Sequence, residues 1–222
     1  MRTLALGDVH GGRKALDRVL EAVRPGPDDV LIALGDYVDR GDDSAGVLDR
    51  LIEWESRCHL VPLLGNHDRM MIQARRDPTD RDIWLRMGGD RALDSYPGGR
   101  LEDVPQAHWD FLDRCRLWYE TNRFLFVHAH VDPALPMDRQ EEKDLLWRHV
   151  SLARPHVSGK PVICGHSSQK SGRPLNLGHT LCIDTAAGHG LWLTCLDVEM
   201  GHCWQADEAG QTRTLQLAWP GP

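Results

Sequence analysis

The 222-residue sequence contains no run of lysines and arginines. Its formal net charge is −7 and its pI is near 5.9. Non-specific nucleic-acid binding needs a basic face, and nothing here supplies one, so no nucleic-acid partner is expected. There is no long apolar run either, and Met1-Arg2-Thr3 leads straight into a strand-like stretch. This pattern offers neither a membrane span nor a signal peptide, and a cytoplasmic protein without a membrane partner is the expectation. None of the six cysteines stands in a C-x-x-C pair. A thiolate metal site is therefore not expected, and segments such as Val162-Ile163-Cys164 and Leu181-Cys182-Ile183 read as small buried side chains in a reducing compartment. Internal repeats, low-complexity tracts and linkers are also missing, which points to one domain over residues 1–222. Nothing in the sequence indicates an oligomeric state.

What is present is a globular composition, 41% hydrophobic and 27% charged, with enough chain for one sizeable core. Thr3 to Leu6 reads as a buried strand. Leu16, Val19, Leu20 and Val23 follow at the spacing of one helix face, and Pro25-Gly26-Pro27 stops that helix. Val30 to Leu34 is a second strand. Val47, Leu48, Leu51 and Ile52 mark a second helix, and Val61 to Leu64 a third strand. This β-α-β-α-β order predicts a parallel sheet with right-handed crossovers. The stretch from Met70 to Tyr119 reads as helical, broken at Gly88-Gly89 and Pro97-Gly98-Gly99. From Phe124 onward strands dominate: Phe124 to Val127, Pro161 to Cys164, Leu181 to Ile183, Leu191 to Val198 and Thr214 to Leu217, with a turn at Gly201-His202. This half should be partly antiparallel.

The chemistry collects at strand ends. The first three strands run into Gly7-Asp8-Val9-His10-Gly11, Gly35-Asp36-Tyr37-Val38-Asp39-Arg40-Gly41 and Gly65-Asn66-His67-Asp68. Two later strands run into His128-Ala129-His130 and His166. Ligands of α/β sheets bind where parallel strands end, so these groups should converge. One strand-end Asp usually caps the next helix, and one strand-end His is usually packed, but five such ends in one chain argue for a site. Asp and Asn supply hard oxygens and His borderline nitrogen, a set suited to Mn²⁺, Fe or Zn²⁺. Six ligands exceed the needs of one open site and suit two ions bridged by a carboxylate.

These motifs resemble the metal-dependent phosphoprotein phosphatase family, the calcineurin-like metallophosphoesterases, in their bacterial and phage Ser/Thr phosphatase branch. G-D-x-H-G, G-D-Y-V-D-R-G and G-N-H-D occur in order, followed by two strand-end histidines. The likeness extends through Trp84-Leu85-Arg86-Met87-Gly88-Gly89, Ser95-Tyr96, Ile183-Asp184-Thr185-Ala186 and Gly190-Leu191-Trp192-Leu193-Thr194. It implies an α/β (α+β) four-layer sandwich with two central mixed β-sheets flanked by helices. It also implies that Asp8 and His10 bind one metal, Asp36 bridges, and Asn66, His128 and His166 bind the second, with Mn²⁺ favoured and Fe or Zn²⁺ open.

The implied reaction is hydrolysis of a phosphate monoester by in-line attack of a metal-bridging hydroxide. His67 would protonate the leaving group and Asp39 would orient it. Arg40 would clamp the phosphate together with Arg148 and the Asn66 amide. Simpler alternatives are an ion pair of Arg40 with Asp42 or Asp43, a helix-start role for Asp39, and a surface role for Arg148. The remaining histidines, His130, His149, His156, His179 and His189, are expected to be structural or solvent-facing. The expected partner is a phosphorylated substrate, a phosphoprotein or small phosphoester. A diadenosine tetraphosphatase-like hydrolase is the alternative, because Asp68 stands where many protein phosphatases carry Glu. A phosphate-recognising pseudoenzyme would be favoured only by a missing ligand or a missing His67.

Overall fold

The computed structural model describes residues 1–219. The chain begins with strand β1 (Thr3–Leu6), helix α1 (Arg13–Val23), β2 (Val30–Ala33), α2 (Ser44–Trp54) and β3 (His59–Pro62). The buried residues of α1 include Leu16, Val19, Leu20 and Val23, the apolar stripe read from the sequence. Arg24 closes α1 in the left-handed region before Pro25-Gly26-Pro27 ends it. The Asp43 side chain accepts the Gly46 N–H at 2.8 Å and caps α2. β3 begins and ends two residues before the expected Val61–Leu64, with Leu63 continuing as an isolated parallel bridge to Arg116.

Next come α3 (Asn66–Ala74), α4 (Pro78–Trp84), a π-helical turn at Leu85–Gly89, α5 (Asp90–Asp94) and α6 (Gln106–Asp113). Pro78 starts α4 behind the capping Asp77. The expected break at Gly88-Gly89 is a kink, with Gly88 at φ +111°, and the chain continues directly into α5. The helical stretch ends before Tyr119, because Trp118–Glu120 forms β4. The second half holds β5 (Leu125–Val127), α7 (Glu142–Trp147), β6 (Val162–Cys164), β7 (Leu175–Asn176), β8 (Thr180–Cys182), β9 (Leu193–Asp197), β10 (His202–Ala206) and β11 (Thr212–Gln216). β4, β7 and β10 were not foreseen, and His202 opens β10 instead of sitting in a turn.

The strands form two mixed sheets, ordered β11-β10-β9-β1-β2-β3 and β4-β5-β6-β8-β7. β1, β2 and β3 pair in parallel, as do β5, β6 and β8. β9 is antiparallel to β1. Ala5, Ile32 and Leu196 of one sheet join Phe126, Ile163 and Leu181 of the other in one buried cluster, so the sheets pack face to face. The outer face of the first sheet is covered by α1, α2 and α6 through residues such as Leu16, Leu48 and Phe111. The outer face of the second buries Leu125, Val127 and Val162 against Leu145 of α7 and Val150. This is the expected four-layer α/β arrangement, with a thinner helical layer over the second sheet. The carboxyl ends of β1, β2, β3, β5 and β6 open toward one crevice, where the next residues meet.

Candidate metal centre

Asp36 lies at the middle of this crevice, and its two carboxylate oxygens face opposite ways. Oδ2 is 3.3 Å from His10 Nε2. Oδ1 is 3.5 Å from His128 Nε2 and also accepts the His67 backbone N–H at 2.9 Å. His10 Nδ1 donates to the Val38 carbonyl at 3.0 Å, and His128 Nδ1 to the Leu34 carbonyl at 2.9 Å. Those bonds fix the tautomers and turn both Nε2 lone pairs into the crevice. The Asn66 amide oxygen is 2.9 Å from His128 Nε2 and 3.0 Å from His166 Nδ1. With His128 Nδ1 spent on Leu34, its Nε2 lone pair faces an amide oxygen, an arrangement that a cation would satisfy. Two donor trios have their ligand atoms within 4.8 Å of one another: His10, Asp36 and His67, and Asp36, His128 and His166. The donor set therefore fits divalent cations, with Asp36 common to both trios.

Electrostatics agree with that use. Burial holds His10 down to about 3 and, with His128 beside it, His166 down to about 4, so both rings are neutral and can ligate at neutral pH. Burial opposes the charge on Asp36, but His128, His67 and His10 around it more than offset this and keep its carboxyl below the ordinary range. Asp8 is buried near Asp184 and Asp36, which raises its proton affinity well above normal. Such a crowd of acids is relieved by positive charge.

Asp8 holds the edge of the site. Its carboxylate accepts the His166 backbone N–H at 2.9 and 3.2 Å, which joins the β1 end to the β6 end. The close approach needs Gly165, where a Cβ would stand 2.0 Å from Asp8 Oδ1. His10, Asp36, Asp39, Arg40 and His166 all have φ between +47° and +73°, five of the seven non-glycine residues with positive φ among those described. Each such residue costs roughly 1–2 kcal/mol. Their concentration here shows that packing enforces the site's backbone.

His67 sits beside this set, its ring 4.8 Å from that of His10 and at 90° to it. Its Nδ1 lies 2.7 Å from Asp39 Oδ2, and both residues are almost fully buried. Burial pushes Asp39 up to about 6, against the hydrogen bonds from His67 and Trp84. Burial pulls His67 down, but Asp36 and Asp39 outweigh it and raise its proton affinity. Arg40 reaches over the pair, with Nη1 donating to His10 Nε2 at 3.0 Å and Nη2 to His67 Nε2 at 2.8 Å. The simpler alternatives for Arg40 and Asp39 are not what the structure shows: Asp42 pairs with Arg91, and Asp43, not Asp39, caps α2.

Arg148 stands apart from these groups. Its Nη1 is 3.2 Å from Asp144, one turn back on α7, and its buried Nε has no partner. No hydrogen bond joins it to Asn66, His128 or His166. The adjacent Trp147 does approach: its ring lies 6.1 Å from that of His166, and 47% of the residue remains exposed. His130 is buried against Thr180 Oγ1 and the Val131 carbonyl, a structural role as expected. Sequence reasoning gave no role to Asp184, which accepts Ser168 Oγ at 2.6 Å and the Ala186 N–H at 2.9 Å and ties together the loops after β6 and β8. It follows Ile183 at the end of β8, the same strand-end signature that marked Asp8 and Asp36. It also missed Gly188, where a Cβ would stand 2.5 Å from the His10 ring.

Comparisons with known proteins point the same way. Residues 1–190 match the family model described as calcineurin-like phosphoesterase. The chain is 31% identical over 209 residues to serine/threonine-protein phosphatase 1 of Salmonella typhimurium, covering 87% of this chain and 90% of that one. It is 41% identical over 141 residues to the symmetrical bis(5'-nucleosyl)-tetraphosphatase of an Acidovorax species, covering 60% of this chain but only 45% of that relative's length. A solved structure provisionally named a diadenosine tetraphosphatase superposes with a TM-score of 0.67 at 20% identity, covering 100% of this chain and 94% of that one. The fold, the cation-suited donors and the match over residues 1–190 together show that the chain belongs to the calcineurin-like phosphoesterase family.

Proposed function

We propose that this protein hydrolyses phosphate monoesters, as a Ser/Thr protein phosphatase of the cytoplasm, with two divalent cations and Mn²⁺ as the preferred metal. The observation that carries the reading is the two-sided carboxylate of Asp36, with His10 on one side and His128 on the other. Asp8, His10 and Asp36 would hold one cation, and Asp36, Asn66, His128 and His166 the other. When bound, such a pair lowers the pKa of a shared water toward neutrality and neutralises charge developing on the phosphoryl group.

The chain's own residues then have defined tasks. Arg40 leaves the two histidine nitrogens and turns its guanidinium fork to two phosphoryl oxygens, a geometry that suits bidentate binding. The Asn66 amide and Arg148 are further proposed contacts to the phosphate, the latter once it releases Asp144. Arg40's departure frees His67 Nε2, which carries a proton to the leaving oxygen, while Asp39 holds Nδ1. Neutral His10 and His166 stay committed as ligands.

The protein-phosphatase reading is supported by the match along nearly the whole length of the Salmonella enzyme. The six cysteines are unpaired, which agrees with a reducing compartment. Hydrolysis of a dinucleoside polyphosphate is the second reading, favoured by the 41% identity and by the exposed Trp147 indole, a surface on which a nucleobase could stack. Rates on a phosphoserine peptide, a phosphotyrosine peptide and diadenosine tetraphosphate, compared under one Mn²⁺ concentration, decide between them. The proposal expects the phosphoserine peptide to have the highest kcat/KM, and a preference for diadenosine tetraphosphate overturns it.

A further inference from the structure

We infer that Trp84 is a positioning residue for leaving-group protonation, its indole N–H fixing the Asp39 carboxylate that orients His67. The inference rests on the proposed role of His67 as proton donor. Trp84 Nε1 lies 2.9 Å from both Asp39 oxygens, and Asp39 Oδ2 is in turn 2.7 Å from His67 Nδ1. Trp84 and Asp39 are 0% exposed, so no solvent can replace either partner. An indole has a single donor and no acceptor, and here it is spent on a carboxylate 45 residues away in sequence.

The surrounding structure is built to seat the ring. Trp84 ends α4, and the π-helical turn Leu85–Gly89 carries the chain back over it. A Cβ at Gly89 would stand 2.4 Å from the indole, so only glycine lets the backbone lie this close. The same turn reaches the neighbouring residue, with the Gly88 carbonyl accepting the Arg40 N–H at 3.2 Å. Gly88 itself stands at φ +111°. One short segment thus grips Asp39 by its side chain and Arg40 by its backbone. Asp39 and Arg40 are both held in the left-handed region, at φ +73° and +67°.

The physical consequence concerns aim. A carboxylate is free to rotate about its Cβ–Cγ bond unless donors pin it. The bifurcated indole contact pins both oxygens at once, leaving Oδ2 turned toward His67. The imidazole plane, and with it the direction of Nε2, then follows from the Asp39 plane. A tryptophan that merely filled the core would do none of this, because a ring of the same shape without the N–H would serve equally.

The test replaces Trp84 with its isostere 3-benzothienylalanine, which carries sulfur in place of the N–H and preserves the packing, beside Trp84→Phe and His67→Asn. Turnover is measured on 2,4-dinitrophenyl, 4-nitrophenyl and phenyl phosphate with Mn²⁺, and bound metal by mass spectrometry. Only the poorer leaving groups need a proton. The expected result for the isostere is a loss of about tenfold in kcat on phenyl phosphate, a loss under about twofold on the dinitrophenyl ester, and unchanged metal content. Trp84→Phe should show the same widening ratio, on top of any uniform loss from repacking. Equal losses on all three esters, or no loss on phenyl phosphate, overturn the inference. His67→Asn separates the two levels. If it shows no leaving-group dependence, the role given to His67 fails and Trp84 has no step to serve. If it shows the dependence and the isostere does not, the Trp84 inference fails alone.

Discussion

Asp68 Oδ2 accepts the backbone N–H of Asp36 at 2.8 Å. The same carboxylate takes the N–H groups of Tyr37 at 3.0 Å and Gly65 at 2.9 Å. Asp68 is 0% exposed, and it ties the β2 end to the β3 end from behind the site. Its identity therefore answers to backbone geometry, and it has no surface on which to select a substrate. The Asp at this position, which in the sequence marked the tetraphosphatase-like alternative, is engaged here with backbone amides and makes no direct contact for a substrate to read. Asp68→Ala strands three buried N–H groups. It should lower unfolding free energy by about 3 kcal/mol or more in urea titrations, given roughly 1–3 kcal/mol for each unsatisfied group. Asp68→Glu, in its folded fraction, should keep the wild-type ratio of rates on phosphoserine peptide and diadenosine tetraphosphate. A large change in that ratio would give Asp68 a role in selection after all.

Gly165 makes a second contact of this kind. A methyl group there would press on Asp8 Oδ1, which already receives the His166 N–H. Gly165→Ala should weaken Mn²⁺ affinity by roughly 10- to 100-fold, the usual cost of disturbing groups that orient metal ligands, and shift the thermal midpoint less than a core deletion does. Calorimetric titration of metal into the stripped protein reads this directly. Unchanged affinity would mean that Asp8 does not take part in ligation.

The two arginines should behave differently. Arg40 already lies between His10 and His67, whereas the Arg148 guanidinium rests on Asp144. Arg40→Ala should cost about 10²–10³ in kcat/KM, as expected for a donor aimed at developing charge. Arg148→Ala should also lower kcat/KM, but less than Arg40→Ala does, because Arg148 must first give up Asp144 to reach the phosphate. No loss for Arg148→Ala would show that Arg148 stays on Asp144 and does not bind phosphate in the working enzyme.

Away from the site, Arg2 and Asp29 clamp the start of β1 to the turn before β2, with Arg2 Nη2 2.6 Å from Asp29 Oδ2. The Arg2 hydrogen bond is the main reason the Asp29 carboxyl is held down to about 2, against burial. A depressed carboxylate stabilises the fold above its unfolded pKa near 4, and that contribution fades as pH falls through about 2. Arg2→Ala should cost roughly 1 kcal/mol at pH 7, a figure reduced because the arginine is about one-third exposed. The gap between wild type and variant should narrow steadily between pH 4 and pH 2. A gap independent of pH would trace the loss to packing of the arginine stem instead.

The sequence made β1 to β3 legible because each is a short apolar run followed by glycine and polar residues, and because Leu16 to Val23 repeat at helical spacing. The converging donor residues were legible for the same reason, since parallel strand ends share one edge. β4 was hidden because Trp118-Tyr119-Glu120 is too short to show a period and follows a helical stretch directly. β10 was hidden because His202, Trp204 and Gln205 mask its alternation, and Gln205 is buried by bonds to Gly172, Thr185, Thr194 and Arg213. The tasks of Trp84, Asp184 and Gly188 could not be read, because each acts on a partner remote in sequence. Trp84 stood inside a recognised motif, but only three-dimensional contact shows what its indole does.

The central claim is that Asp36 joins two cation sites, and anomalous scattering from crystals grown with Mn²⁺ tests it most directly. The account predicts two peaks roughly 3.5–4 Å apart with the Asp36 carboxylate between them, His10 on one and His128 with His166 on the other. It also predicts that both peaks persist in His67→Asn. A single peak, or two that share no carboxylate, would contradict it.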